Sequence, residues 1–274
     1  REASASLERA FERASAAKDP YLVMNRALIR SRLGRLDEAL ADATTTIELL
    51  GPSPWLFATR SAIRQELGDA KGALEDAERA VAADPRNAEA RRQRASLWID
   101  AGDLERARAE LDLAVSLSPK DGEVLVERSI LHERRGDAKR ALEDAETAVA
   151  AMPREPKVHA QRARLRVRAG DFEGALLDAA KAIEVGPQDS CGYEAQAKAF
   201  LAKDDLDAAI ASAEKALGCS ARSKALGHRG LVKKKKGDAK GALEDIEKAL
   251  ANHLRDPELV KALEAARDEL RRGR

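Results

Sequence analysis

Six arginines and six acids in this chain of 274 residues are spaced so that they could pair. Arg26, Arg60, Arg94, Arg128, Arg162 and Arg229 are followed, each time sixteen residues later, by Asp42, Asp76, Glu110, Asp144, Asp178 and Asp245. Gln196 stands where a seventh arginine belongs, and there the acid is gone too, replaced by Ser212. A guanidinium presents a planar fork that matches a carboxylate. The joint loss therefore points to an ion pair, with Arg128 on Asp144 as its type, and such pairs are commonly structural rather than functional. Other reactive residue types form no constellation. His132, His159, His228 and His253 lack metal-ligand spacing. No phosphate-binding glycine loop and no Gly-x-Ser-x-Gly elbow occurs. No catalytic residue, metal ligand or cofactor is implied, and the chain reads as non-enzymatic.

The elements that must position these residues follow a period. Gly68 to Pro85 returns at Gly136 to Pro153 with 15 of 18 residues identical. Looser copies start at Gly34, Gly102, Gly170 and Gly237, with Asp204 in place of one glycine. The step is 34 residues, except the last, which is 33. A fixed period of this length marks a helical solenoid. Seven helix-turn-helix repeats result: 20–53, 54–87, 88–121, 122–155, 156–189, 190–222 and 223–256. Residues 1–19, with Leu7, Ala10, Phe11 and Ala14 at helical spacing, read as a half-repeat helix that caps the start. Residues 257–274 read as a closing helix with Leu259, Val260, Leu263, Ala266 and Leu270 on one face.

Numbered from 1 to 34, each repeat is small at position 8 and alanine at position 20. Position 27 is Thr46, then alanine six times. Small residues let two helices approach closely. Glycine at position 15 ends the first helix in the left-handed conformation. The Asp that usually follows caps the second helix. Pro85, Pro119, Pro153 and Pro187 stop it. These features resemble the tetratricopeptide repeat family over residues 20 to about 256. Departures are the missing aromatic at position 24 and the aromatic at position 4 surviving only as Phe57 and Tyr193. The resemblance implies an all-α, right-handed superhelical solenoid whose first helices line a concave groove.

It also implies that a ligand touches positions 2, 5, 6, 9, 12 and 13 of the first helices. Those positions hold Tyr21, Met24, Leu28 and Trp55 early in the chain. Arg92, Ile99, Glu127 and Glu133 follow, then Lys157, Arg164, Arg168, Lys198, Lys234 and Lys235. An apolar-to-cationic groove suits an acidic peptide or protein segment with an apolar anchor. The alternative is that Tyr21 and Trp55 bury against the N-terminal helix of residues 1–19 and the cations are solvated helix faces. The family's carboxylate clamp for chaperone tails is not reproduced: Arg92, Glu127, Lys157 and Gln161 come nearest, and Glu127 would repel a terminal carboxylate.

Composition bounds the rest. Charged residues make up 35% and aromatics 3%, which opposes a sandwich-type core and suits small-residue helix packing. Net charge is +1, yet residues 223–274 hold 14 Lys/Arg against 9 Asp/Glu. Lys233–Lys236 end a first helix, where the dipole favours cations; a nucleic-acid site would want a broader stripe with interleaved aromatics. No apolar run reaches the ~18 residues that span a bilayer. Cys191 and Cys219 fall in one repeat, where antiparallel helices bring them to the same end, leaving a disulfide or two free thiols open. The chain opens on Arg1 without a signal-peptide pattern, as an excised or processed segment would. The compartment stays open between cytoplasm and an exported bacterial domain, and so does the oligomeric state. The leading reading is a protein-interaction scaffold. A regulatory or targeting segment of a larger enzyme and a self-assembling solenoid are the rivals.

Overall fold

Short helices alternate with tight turns along the described residues, and glycine, aspartate and proline stand at most of those turns. A computed structural model describes residues 19–32, 34–219, 222–252, 254 and 256–272, and its regular structure is entirely helical. The helix expected over 1–19, with Leu7 and Phe11, falls outside the described residues apart from Asp19. Two compact bodies meet in sequence at Leu117 and Ser118.

In the N-terminal body, α1 (Pro20–Arg32) packs on α2 (Leu36–Leu50), α3 (Pro54–Leu67) on α4 (Ala70–Ala83), and α5 (Ala88–Asp100) on α6 (Leu104–Leu117). In the C-terminal body the hairpins are α7 (Gly122–Arg134) with α8 (Ala138–Ala151), α9 (Pro156–Arg168) with α10 (Phe172–Val185), α11 (Ser190–Ala202) with α12 (Leu206–Leu217), and α13 (Arg222–Lys236) with α14 (Ala239–Leu250). A last helix, α15 (Pro257–Arg272), buries Leu259, Leu263 and Ala266 against Ile246 and Ala249 of α14. Each body is a short solenoid of stacked hairpins. In the C-terminal body α7, α9, α11 and α13 pack side by side, forming a continuous row of first helices.

The turn between α3 and α4 shows the mechanism. Gly68 takes a φ of +83°, which a side chain would resist. That lets the Gly68 N–H reach the Gln65 carbonyl at 3.1 Å and the Asp69 N–H reach the Arg64 carbonyl at 2.9 Å. Two of the orphan carbonyls at the helix end are thereby satisfied. The Asp69 carboxylate then accepts from the Gly72 N–H at 2.9 Å and caps α4. Asp204 adopts the same left-handed conformation at φ +64° without being glycine.

The alanines at positions 20 and 27 are fully buried. Within the hairpin α13–α14 the approach is close at Gly230, where a Cβ would lie 2.8 Å from Ile246 Cγ1 and 3.3 Å from the Ala242 carbonyl. The core is thus a zip of small side chains between helices, with buried Leu, Ile and Val among them.

Candidate binding cleft

All six arginine–acid pairs form. The guanidinium of Arg26 donates two bonds to Asp42 at 2.6 and 2.7 Å, Arg60 to Asp76 at 2.7 and 2.8 Å, and Arg128 to Asp144 at 2.8 Å twice. Arg162 on Asp178 and Arg229 on Asp245 repeat the fork, and Arg94 reaches Glu110 with one. Where both partners are missing, the Ser212 hydroxyl donates to Gln196 Oε1 at 3.0 Å. Sequence reading missed that a second cation closes on most of these acids. Arg30, Arg64, Arg166 and Lys233 approach Asp42, Asp76, Asp178 and Asp245 at 2.6, 2.9, 2.9 and 2.8 Å. They share repeat position 11, and Phe200 occupies it in the repeat without an acid, so the signal was present. Glu110 takes its second cation from Arg91 at 2.8 Å. At Asp144 the place is held by His132 at 3.8 Å, whose own burial lowers its pKa. Burial pushes the Asp245 carboxyl up, but Arg229 and Lys233 outweigh it and hold it below its usual range. These clamps tie the first helix of a hairpin to the second and leave little charge for a ligand.

The residues expected on the groove separate into three groups. Met24 is fully buried, packed with Ala27, Ala39, Ala43, Leu56 and Ile63, and belongs to the core rather than to a binding surface. A periodicity of 3.6 leaves it on the boundary between two faces, and packing against α2 and α3 decided the matter. Tyr21, Leu28 and Trp55 are exposed, at 61%, 39% and 42%, so the reading in which Tyr21 and Trp55 are buried does not hold. The cations are mostly engaged. Arg92 pairs with Glu89 at 2.5 Å, Arg164 with Glu133 at 2.5 Å, and Arg168 with Glu133 at 3.0 Å and also with Glu258. Lys234 pairs with Glu269, Lys235 with Asp204 at 2.7 Å and Lys236 with Asp207. Position along the chain put Glu133 on the groove as well, but not its pairing: this buried acid on the preceding first helix engages both Arg164 and Arg168.

Lys198 differs. It faces a cleft of about 150 Å³ lined by the row α7, α9, α11 and α13. Val126, Ile130, Ala160 and Ala195 form its apolar part. Arg164, Lys198, Lys224 and His228 bring nitrogen to it, and Glu194 and Asp256 bring oxygen. Lys198 and Lys224 have no carboxylate at ion-pair distance among the described residues, whereas Lys157, also on the wall, is bonded to Glu123 at 2.9 Å. Burial, then the charge of Arg164, lowers the pKa of Lys198. His228 is 5% exposed, and neither ring nitrogen has a hydrogen-bond partner. Its burial, then Lys198 and Lys224, hold it well below the ordinary histidine range and uncharged, against a smaller opposing pull from Asp256. Sequence reading did not place Lys224 or His228 on the groove, and read His228 only as lacking metal-ligand spacing. They lie at positions 2 and 6 of their repeat, which the resemblance had marked for contact. Cys191 also lines the cleft and, like Cys219, is a free thiol. Among the described residues no group of three or more His, Cys, Asp or Glu could hold a metal ion, and no helix is long and apolar enough to cross a membrane.

Models of the tetratricopeptide repeat match residues 65–125 and 160–224. No curated protein sequence matches the chain. Solved structures with a similar fold include a tetratricopeptide repeat protein from Parabacteroides merdae, 18% identical with a TM-score of 0.63, covering 94% of this chain and 99% of that one. A thermophilic repeat protein of Thermus thermophilus is 21% identical with a TM-score of 0.58, covering 73% and 100%. Yeast Tom70 is 18% identical with a TM-score of 0.57, and the match covers 96% of this chain but 58% of that protein. Helix hairpins of matching period, alanines at the matching sites and two matching repeat models lead to one assignment: this chain belongs to the tetratricopeptide repeat family and has the architecture of a protein-interaction scaffold.

Proposed function

We propose that the chain binds an acidic segment of a partner protein in the cleft between α9, α11 and α13. The observation that carries this is the pair of unengaged lysines, Lys198 and Lys224, on a cleft wall whose other cations, Lys157 and Arg164, are ion-paired. Charges withdrawn from water are normally paired directly, and although Glu194 and Asp256 share the cleft, neither lysine has a carboxylate at ion-pair distance among the described residues, so both ammonium groups can take a ligand oxygen. The neighbouring Val126, Ile130, Ala160 and Ala195 take an apolar residue beside the acid. Arg164 and Arg168, bound to Glu133, position the wall rather than meet the ligand.

A random-peptide display selection on the full chain tests the reading. Enrichment of sequences with Asp or Glu next to an apolar residue is expected, lost in Lys198→Glu and Lys224→Glu. Enrichment of neutral or basic peptides, or binding that both variants retain, overturns it.

A further inference from the structure

His228 points to a more specific chemistry, which rests on the cleft being the binding site. A buried imidazole with both nitrogens unpartnered is unusual, because an unmade bond costs its full desolvation. It sits in the same cleft as Lys198 and Lys224. We propose that the cleft is a monocarboxylate site in which His228 is the third donor, so that binding one carboxylate takes up one proton.

The charge count supports this. The charged and titratable groups facing the cleft beside His228 are Lys157 and Arg164 from α9, Cys191, Glu194 and Lys198 from α11, Lys224 from α13 and Asp256 ahead of α15. Lys157 is committed to Glu123 and Arg164 to Glu133. Burial pushes the Cys191 thiol far up, so it stays neutral. Lys198 and Lys224 are then balanced by Glu194 and Asp256. With neutral His228 the cleft has no net charge to offer an anion, and with protonated His228 it has one. A carboxylate supplies the negative charge that lets the imidazole take the proton, and the ring nitrogens gain the partner they lack. A second negative charge, as on a phosphate monoester, would meet Glu194 and Asp256 without compensation.

The test uses the full chain with three probes: isovalerate, the blocked dipeptide acetyl-Leu-Asp-amide, and inorganic phosphate. Calorimetry in buffers of different ionisation enthalpy counts the protons taken up, and NMR of the His228 ring follows its titration. Expected are binding of at least one carboxylate probe, uptake approaching one proton, an upward move of the His228 titration on binding, and affinity that rises as pH falls, by up to about tenfold per unit. The dipeptide binding more tightly than isovalerate identifies a protein side chain as the source; the reverse identifies a free acid. His228→Gln, which donates but cannot take a proton, is expected to bind with a flat pH profile. The ring titration of the unaltered chain decides the matter should that variant not fold. Carboxylate binding without proton uptake, no carboxylate binding at all, or phosphate binding equally well overturns the proposal. Peptides selected by display while carboxylate probes leave His228 unmoved would sink this site and spare the scaffold reading. Isovalerate binding with no peptide selected would do the opposite.

Discussion

At the scale of single residues, the acids inside the hairpins carry more consequence than the exposed charges around them. Asp144 is buried and accepts two bonds from Arg128. Removing one member strands the other away from water, which costs more than the pair contributes. Arg128→Met is expected to destabilise by roughly 2 kcal/mol in chemical denaturation. The double change Arg128→Gln with Asp144→Ser copies the neutral Gln196–Ser212 pair and should recover most of that loss. Failure to recover it would mean that His132 and the surrounding packing depend on the acid itself. His228 makes a separate prediction. Its folded pKa lies below its unfolded one, so below about pH 6.5 the unfolded chain binds the extra proton. Stability therefore falls with pH below that point, by up to about 1.4 kcal/mol per unit from this group, until the folded pKa is reached. Melting of His228→Gln between pH 7 and 5 should show a correspondingly shallower fall.

At the scale of elements, the hairpin α11–α12 is built with fewer devices than its neighbours. Asp204 holds a left-handed turn that glycine takes elsewhere. The bidentate clamp is replaced by one neutral bond. No proline follows α12, whose last residues run into Gly218 in a right-handed conformation. Asp204→Gly relieves the backbone and gives up only an exposed contact to Lys235, so it should stabilise by about 1 kcal/mol. Stability in stacked repeats is set locally. Amides of α11 and α12 are accordingly expected to exchange faster than those of α7 and α8, and equal protection would contradict this account. Gly192 marks the opposite constraint. A Cβ there would lie 2.8 Å from Ile183 Cγ1 and 2.9 Å from the Ile183 backbone nitrogen. Gly192→Ala must push α11 off α10 and should cost about 1–3 kcal/mol.

At the scale of the whole molecule, a net charge of +1 predicts almost no long-range preference for acidic partners. The C-terminal stretch 223–274, with 14 cations against 9 acids, predicts one. Exposed charges are screened beyond about 8 Å at physiological ionic strength. Association of a selected acidic peptide should therefore slow as salt is raised from low to physiological, while dissociation, governed by the buried cleft contacts, changes less. Trp55→Ala in the N-terminal body should leave that salt dependence unchanged. Stopped-flow mixing across a salt series separates the two rates.

Helix hairpins, their turns and their pairing were legible because they depend on residues near in sequence and repeated many times. Gly68 with Asp69 specifies a turn by local sterics, and the shared loss at Gln196 and Ser212 revealed a contact sixteen residues apart. The cleft was only half legible. The period placed Lys198 among the first-helix residues that line the cleft, but whether a cation is free depends on what the adjoining helix brings. Glu133 took Arg164 and Arg168, and packing took Met24 into the core. The burial of His228 with two empty nitrogens has no local sequence signature. Desolvation and charge balance are sums over every neighbour in space, and only the tertiary structure decided who those neighbours are.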